Sequence, residues 1–442
     1  MSIKDVGHLN YLGHDCVYVQ DNMDYIVIPV NPKENIYNYF QRCGYTLNLS
    51  DGLHKKAIVS VKQTEQALNH IRITANYIAK LFSDKEIDGF VMVGNEIDEF
   101  FSPLEHYHKL KNKGEYVVSD LLYGQEIGAK YQFFHEGKSV EIDLVFGNIL
   151  SKGSRSDLSI HPQLVIHIDR TDNTDYINSL AGVIIRFMQF VHRKKSYNLK
   201  SLELFHCVNG KNQSIGYLFE SLYNIDLRPK ARLEASYKYY GDKIGNLLSI
   251  ISSDSQFPLS HLHNDWHNSY GYSTERFGAL CSAFEHEYGS SKESYEKGTG
   301  EFGDLREHIV EQIQAIDTHS KSENEFKQNA IGKIKSLGTQ SGFFKRILNA
   351  YEANSDALGG SVNRILIREK ELRKIARQLS DLRGKVLHNE MGYRFNEQEM
   401  EAIRFLEILQ FVMTLRRAKY SGKEIELIIG RLYYCNDTFW NI

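Results

Sequence analysis

Proline is scarce in this chain, with six among 442 residues, so few rigid breaks interrupt it. Cysteine is equally sparse. The five thiols (Cys16, Cys43, Cys207, Cys281, Cys435) are odd in number, scattered, and never arranged as C-x-x-C, which argues against both a disulfide framework and a thiolate zinc site. No run of about 18 apolar residues is present to span a bilayer, and the opening MSIKDVGHLNYLGHD lacks the basic-then-apolar layout of a secretory signal. A cytoplasmic protein is the expectation. The net charge of -3 excludes a wholly basic, polyanion-coating body, so any nucleic acid must be held by a local patch. A Gly-rich phosphate loop, a Ser-nucleophile motif, a dinucleotide fingerprint and an internal repeat are all missing too.

What is there is the composition of a folded protein, 42% hydrophobic and 25% charged with 27 tyrosines, long enough for two or three domains. The chain divides by period. From about residue 20 to 225 the apolar pattern is strand-like: AIVSVK, DGFVMVG, KYQFFHE, KSVEIDLVFG, PQLVIHID and SLELFHCV are rich in β-branched and aromatic residues. KYQFFHE and the strand after it read as a hairpin across a Gly-containing turn. Two helices are expected among these strands. TEQALNHIRITANYIAKLF sets Leu68, Ile71, Ala75, Ile78 and Phe82 at steps of three and four, and DYINSLAGVIIRFMQFVHRKK ends in basic residues that suit a helix dipole.

After residue 270 the period is helical throughout. STERFGALCSAFEHEYG places Phe277, Leu280, Cys281, Phe284 and Tyr288 on one stripe, with Ser273 or Thr274 as cap and Gly289 as stop. Further helical segments follow, among them a long one with Ile365, Leu372, Ile375, Leu379, Leu382 and Val386 on one side, then a last long helix opening on Asn396 and Glu399 in capping-box register. The reading is α+β: residues 1 to 225 a β-rich N-terminal domain with a few helices, 226 to 270 a linker, and 271 to 442 an all-α bundle.

Three places pair an arginine with a following histidine at a spacing from R-x4-H to R-x6-H. Such matches arise by chance about once per spacing in a chain of this composition, so the surroundings must separate them. Arg155 and His161 lie in GSRSDLSIHP, which reads as a loop, and Arg186 and His192 lie on a helix otherwise made of Val, Ile, Phe and Met. Arg383 and His388, in LSDLRGKVLHNEM, alone stand at a helix end inside the helical bundle.

That R-x4-H motif, reached after a first helix RFGALCSAFEHEY that carries Arg276 and Glu285, resembles a HEPN domain, the nucleotide-binding domain of higher eukaryotes and prokaryotes. The preceding β-rich half makes the arrangement similar to the ApeA-like branch of anti-phage defence proteins. The chain departs from the family pattern at Gly384, where members commonly carry Asn, Asp or His directly after the arginine. Asp381 precedes the arginine by two, and Asn389 and Glu390 follow the histidine. The resemblance implies metal-independent cleavage of RNA such as host tRNA, no cofactor, a homodimer formed through the helical domain, and a phage-derived protein trigger sensed by the N-terminal half. The residue types suit that chemistry. Imidazole can act as acid or base near neutral pH, and guanidinium holds phosphate through paired hydrogen bonds. Five positions turn a helix by about 500°, so the helix must end near Leu387, or give way at Gly384, for the two groups to meet. A catalytically silent bundle that binds RNA or a protein partner is the alternative.

Two other clusters compete. HLHNDWH spaces His261, His263, Asp265 and His267 as alternating metal ligands, or else as polar linker. LRPKARLEASYKYYGDK interleaves Arg228, Lys230, Arg232 and Lys238 with tyrosines, a composition able to hold phosphates and stack bases or to form a solvated connecting face.

Overall fold

The computed structural model describes residues 4–11, 13–31, 44–49, 56–66, 70–102, 126–149, 159–197, 199–220, 236–264, 271–291, 295, 303–336, 342–358, 369–387 and 393–434. The chain forms two compact units, one of Met1–Phe257 with His263–Asn268 and one of Pro258–Leu262 with Ser269–Ile442. Among the described residues, no helix is long and apolar enough to cross a membrane.

The first unit is built on a twelve-stranded antiparallel sheet. Its strands are β1 (Lys4–Tyr11), β2 (His14–Asp21), β3 (Asp24–Pro29), β4 (Thr46–Leu49), β5 (Lys56–Gln66), β6 (Ile71–Leu81), β7 (Ile87–Gly94), β8 (Glu126–His135), β9 (Lys138–Ile149), β10 (Ser159–Thr171), β11 (Leu199–Val208) and β12 (Lys211–Glu220). The order runs β1-β2-β3-β6-β12-β11-β7-β10-β9-β8, with β5 also on β6 and β4 on β5. One edge of β6 is shared: Ile71 to Thr74 pair with β3, and Tyr77 to Leu81 pair with β12. Two-residue turns set the hairpin registers. Between β11 and β12 the turn is Asn209–Gly210, both at positive φ, as a turn matched to the right-handed strand twist requires. Glu136–Gly137 does the same between β8 and β9, the hairpin expected from the sequence.

The helix expected over TEQALNHIRITANYIAKLF is a strand pair instead, with β5 ending at Gln66 and β6 starting at Ile71. The alternation in IRITANY decides it: Ile71, Ile73, Ala75 and Tyr77 are buried while Arg72 and Asn76 are exposed, and a period of two places them on one sheet face. His161, read as part of a loop, is likewise in β10; Arg155 lies outside the described residues.

Helix α1 (Asn95–Phe100) continues directly from β7, and α2 (Thr174–His192) is the expected amphipathic helix, its Asn173 cap accepting from the Tyr176 amide. The proposed linker is not one over its described part. Residues 236 to 257 belong to the first unit, as α3 (Tyr237–Tyr240), a single 3-10 turn, and α4 (Ile244–Ser253). Ile244, Leu247, Leu248 and Ile251 of α4 are buried, a helical stripe that the polar flanks of the segment disguise. Gly245 is there for close approach, since a Cβ would sit 2.5 Å from the Gln132 carbonyl oxygen of β8.

The second unit is helical: α5 (Thr274–Ser290), α6 (Gly303–Gln314), α7 (Lys321–Ser336), α8 (Phe343–Ala353), α9 (Ser355–Leu358), α10 (Glu369–Leu387), α11 (Glu397–Arg417) and α12 (Gly422–Tyr434). Ser273 caps α5, and Asn396 with Glu399 forms the capping box that starts α11. Helix α11 is the hub, buried at every position from Phe405 to Leu415, and α5, α8 and α10 pack around it. Leu372, Leu379 and Leu382 of α10 turn inward as their spacing requires; Ile365 lies outside the described residues.

Candidate functional site

Helix α5 presents Glu285 to two other helices. One carboxylate oxygen accepts from Arg346 Nη1 of α8 at 2.9 Å and the other from Arg383 Nη2 of α10 at 2.9 Å. Aromatic faces back both cations: the Arg383 guanidinium stands 5.0 Å from the Phe343 ring centre, and that of Arg346 5.7 Å from Tyr288. The three charged side chains keep between about a fifth and a third of their surface exposed. Beneath them Cys281 is buried, and burial pushes its thiol up to about 12, the Arg383 charge opposing and the Glu285 charge adding. It is a packed, protonated thiol. One carboxylate between two guanidiniums leaves one positive charge at a half-exposed place.

Glu285 and Arg383 are thus brought together, across 98 positions of sequence. Arg346 was not foreseen, and its helix offers no signal beyond an ordinary amphipathic pattern. Helix α10 runs without a break through Gly384 and ends at Leu387. A Cβ on Gly384 would meet nothing within 4 Å, so a side chain at this departure from the family pattern has room. Asp381 is not with Arg383: it is exposed, and two positions turn a helix by about 200°. His388, Asn389 and Glu390 lie outside the described residues.

Arg276 is elsewhere, at the far end of α5, and it is a structural tie. Its guanidinium donates to the carbonyls of His261 (2.8 Å) and Gly271 (2.9 Å) and to Glu407 Oε2 (3.1 Å), and lies over the Tyr272 ring. Glu407, buried in α11, also accepts from the Tyr272 hydroxyl at 2.6 Å. A further arginine–glutamate bond joins Arg417 Nη2 to the fully buried Glu287 at 2.9 Å. Helix α5 is therefore fastened by ionic contacts along its length. Comparison with known proteins adds nothing to this. No family model, curated protein or solved structure matches the chain.

The competing clusters fare as follows. His261 and His263 are both buried but belong to different units, and their carbonyls accept from Arg276 and from the Lys195 amide; Asp265 and His267 lie outside the described residues. Among the described residues, no three His, Cys, Asp or Glu side chains gather to hold a metal ion. In the basic tyrosine segment, Arg228, Lys230 and Arg232 lie outside the described residues, and Lys238 is exposed on α3. Of the neighbouring tyrosines, Tyr240 is 1% exposed against Phe100 and so is no stacking platform for a base, and Tyr237, half-buried, packs on Phe101.

The first unit holds a titratable cluster that the sequence did not reveal. Lys194 Nζ donates to Glu96 Oε1 at 2.8 Å, with both side chains 3% exposed. His192, wholly buried, donates from Nε2 to the Glu96 carbonyl at 3.0 Å, which leaves Nδ1 as the lone-pair nitrogen facing Glu99 Oε2 at 3.8 Å. Burial lowers His192 to about 4, with Lys194 adding. Burial raises Glu99 to about 7; Lys194 opposes this, and Glu96 and Asp98 reinforce it. Asp98 in turn lies 3.1 Å from His161 Nδ1.

Proposed function

We propose that the helical unit is a metal-independent endoribonuclease of the HEPN type, in which Arg383 binds the scissile phosphate and His388 moves protons. The observation that carries this reading is Glu285 shared between Arg383 and Arg346. The shared carboxylate orients Arg383 while leaving a net positive charge beside the end of α10, where a phosphate is attracted rather than repelled. In RNA cleavage of this kind the 2′-oxygen attacks phosphorus, the 5′-oxygen leaves, a base takes the 2′ proton and an acid supplies one to the leaving oxygen. One chain offers one motif. A two-fold dimer would place two imidazoles and two guanidiniums in one cleft and so divide the two proton roles.

In this reading the protein works in the cytoplasm on host RNA such as tRNA, and its β-rich unit restrains cleavage until a phage-derived protein is sensed. A silent bundle that binds RNA or a protein partner is favoured by a different aspect of the same geometry, since Arg383 already has a carboxylate partner. One experiment separates them. The purified full chain is incubated with total RNA, with and without chelator, beside Arg383→Ala and His388→Ala. Chelator-resistant cleavage that both variants lose is expected; cleavage retained by both folded variants rejects the assignment.

A further inference from the structure

The face of α10 turned away from Arg383 forms one wall of a groove of about 620 Å³, whose other wall is the start of α11. That volume lies within the range of small-ligand sites, about 300–1,000 Å³. Four cations of α10 line it: Arg373, Lys374, Arg377 and Lys385. All four are exposed, and among the described residues none is engaged in an ion pair. Two of them are steadied by rings, Arg377 at 5.9 Å from the Phe344 centre and Lys385 at 5.6 Å from Tyr393.

The opposing negative charge is small. Among the described residues of the lining, Asp381 is the one exposed carboxylate. Glu399 is committed inward, bonded to the Asn396 amide at 2.9 Å and to the Tyr393 hydroxyl at 2.7 Å. A chain whose net charge is -3 therefore concentrates positive charge on one helix face.

The length of that face selects the ligand. Arg373 and Lys385 are twelve positions apart, about 18 Å along the helix, so a single phosphate can meet only part of the row. An extended polyanion, with charges repeated along a flexible chain, can meet all of it. We propose that this groove binds the sugar-phosphate backbone of single-stranded RNA, as a site distinct from the Arg383 region. The choice of RNA among polyanions rests on the ribonuclease reading; the anionic character of the ligand rests on the groove alone. Binding through the backbone is read without base recognition and is salt-dependent.

The test uses the full-length protein and a fluorescein-labelled 2′-O-methyl-(U)12 strand, which lacks the attacking hydroxyl and so reports binding whether or not the protein cuts. Fluorescence anisotropy is measured across a salt series for wild type, Arg373→Gln/Arg377→Gln, and Lys374→Gln/Lys385→Gln. Each pair removes two charges, so the slope of log affinity against log salt should fall by about 1.4, with affinity at low salt down about tenfold. Thermal unfolding checks each fold, and the second pair decides the matter if the first is damaged. Unchanged affinity and slope in a folded pair overturn the groove. Displacement of the strand by polyglutamate as readily as by unlabelled (U)12 overturns RNA as the ligand and assigns the groove to an acidic protein segment. Cleavage is scored separately on unmodified RNA: binding lost in the pairs while Arg383→Ala still cuts rejects the nuclease site and leaves the groove standing.

Discussion

Replacing Glu99 by Gln should stabilise the first unit at alkaline pH and leave it unchanged in acid. In the native state Glu99 holds its proton up to about pH 7, against an ordinary value of 4.5. The folded chain thus binds that proton more tightly than the unfolded chain, and stability falls as pH rises from 4.5 through 7. His192 has the reverse sign: its value is lowered from 6.5 to about 4, so stability rises with pH between those limits. The two trends oppose each other from 4.5 to 6.5, and above that only the Glu99 loss continues. Each pH unit is worth about 1.4 kcal/mol, so ionising Glu99 in its largely buried place, with Glu96 and Asp98 adding to the penalty, costs about 3 kcal/mol by pH 8. A glutamine keeps the shape of the protonated acid and can donate toward His192 Nδ1, but it never ionises. The assay is the thermal unfolding of the first unit in both proteins. At about pH 8 the variant should melt about 6–12 °C higher, from 2–4 °C per kcal/mol for a unit of this size; at about pH 4.5 the two should nearly coincide. Equal melting at pH 8, or the same gain at both pH values, refutes the argument that a buried carboxylate is being ionised at a cost.

Three further outcomes are expected. Gly245→Ala should lower the melting temperature of the first unit, at a cost of about 1–3 kcal/mol, because the new methyl meets the Gln132 carbonyl oxygen of β8; an unchanged melt would mean that α4 can slide off the strand freely. Glu407→Ala leaves Arg276 and Tyr272 without their buried acceptor and should destabilise the helical unit by about 3 kcal/mol, read by denaturant midpoint. If the nuclease cleft is shared between two chains, a heterodimer of wild type and His388→Ala should lose most of its cleavage, whereas independent sites would retain about half in additive accounting.

How much of this was legible in the sequence depended on how local the signal was. The Asn396–Glu399 capping box, the α5 stripe and the Glu136–Gly137 hairpin each lie within a few residues, and the sequence displays them directly. Strand β6 was hidden because Ile71, Ala75 and Ile78 also fit a helical spacing, and only pairing with β3, β5 and β12 favours the alternation of two. Helix α4 was masked by the polar residues around it. At the candidate site, Glu285 and Arg383 were paired through the family resemblance, but Arg346 enters only because α8 packs beside them. Glu96, Asp98 and Glu99 lie within four positions of one another in sequence, yet nothing near them announces His161, His192 or Lys194, which the sheet and α2 deliver from 63 to 98 positions away. Arg276 carries the opposite lesson, since a charged residue beside a motif in sequence proved to be holding α5 to α11.

The burial of α11 on all sides from Phe405 to Leu415 bears on how the protein is made. Synthesis runs from α5 to α11 across about 120 residues, which at 5–20 residues per second takes roughly 6 to 25 seconds. Over that interval α5, α8 and α10 emerge one after another, each without the helix that its apolar stripe is built to contact. The ionic ties of α5 are incomplete as well, because Glu407 and Arg417 are both on α11. The nascent bundle therefore remains unclosed until translation passes about residue 417. If that bundle cuts RNA, a ribosome making it is spared the activity of its own unfinished product, and arrested or truncated chains lacking α11 are harmless fragments rather than unregulated nucleases.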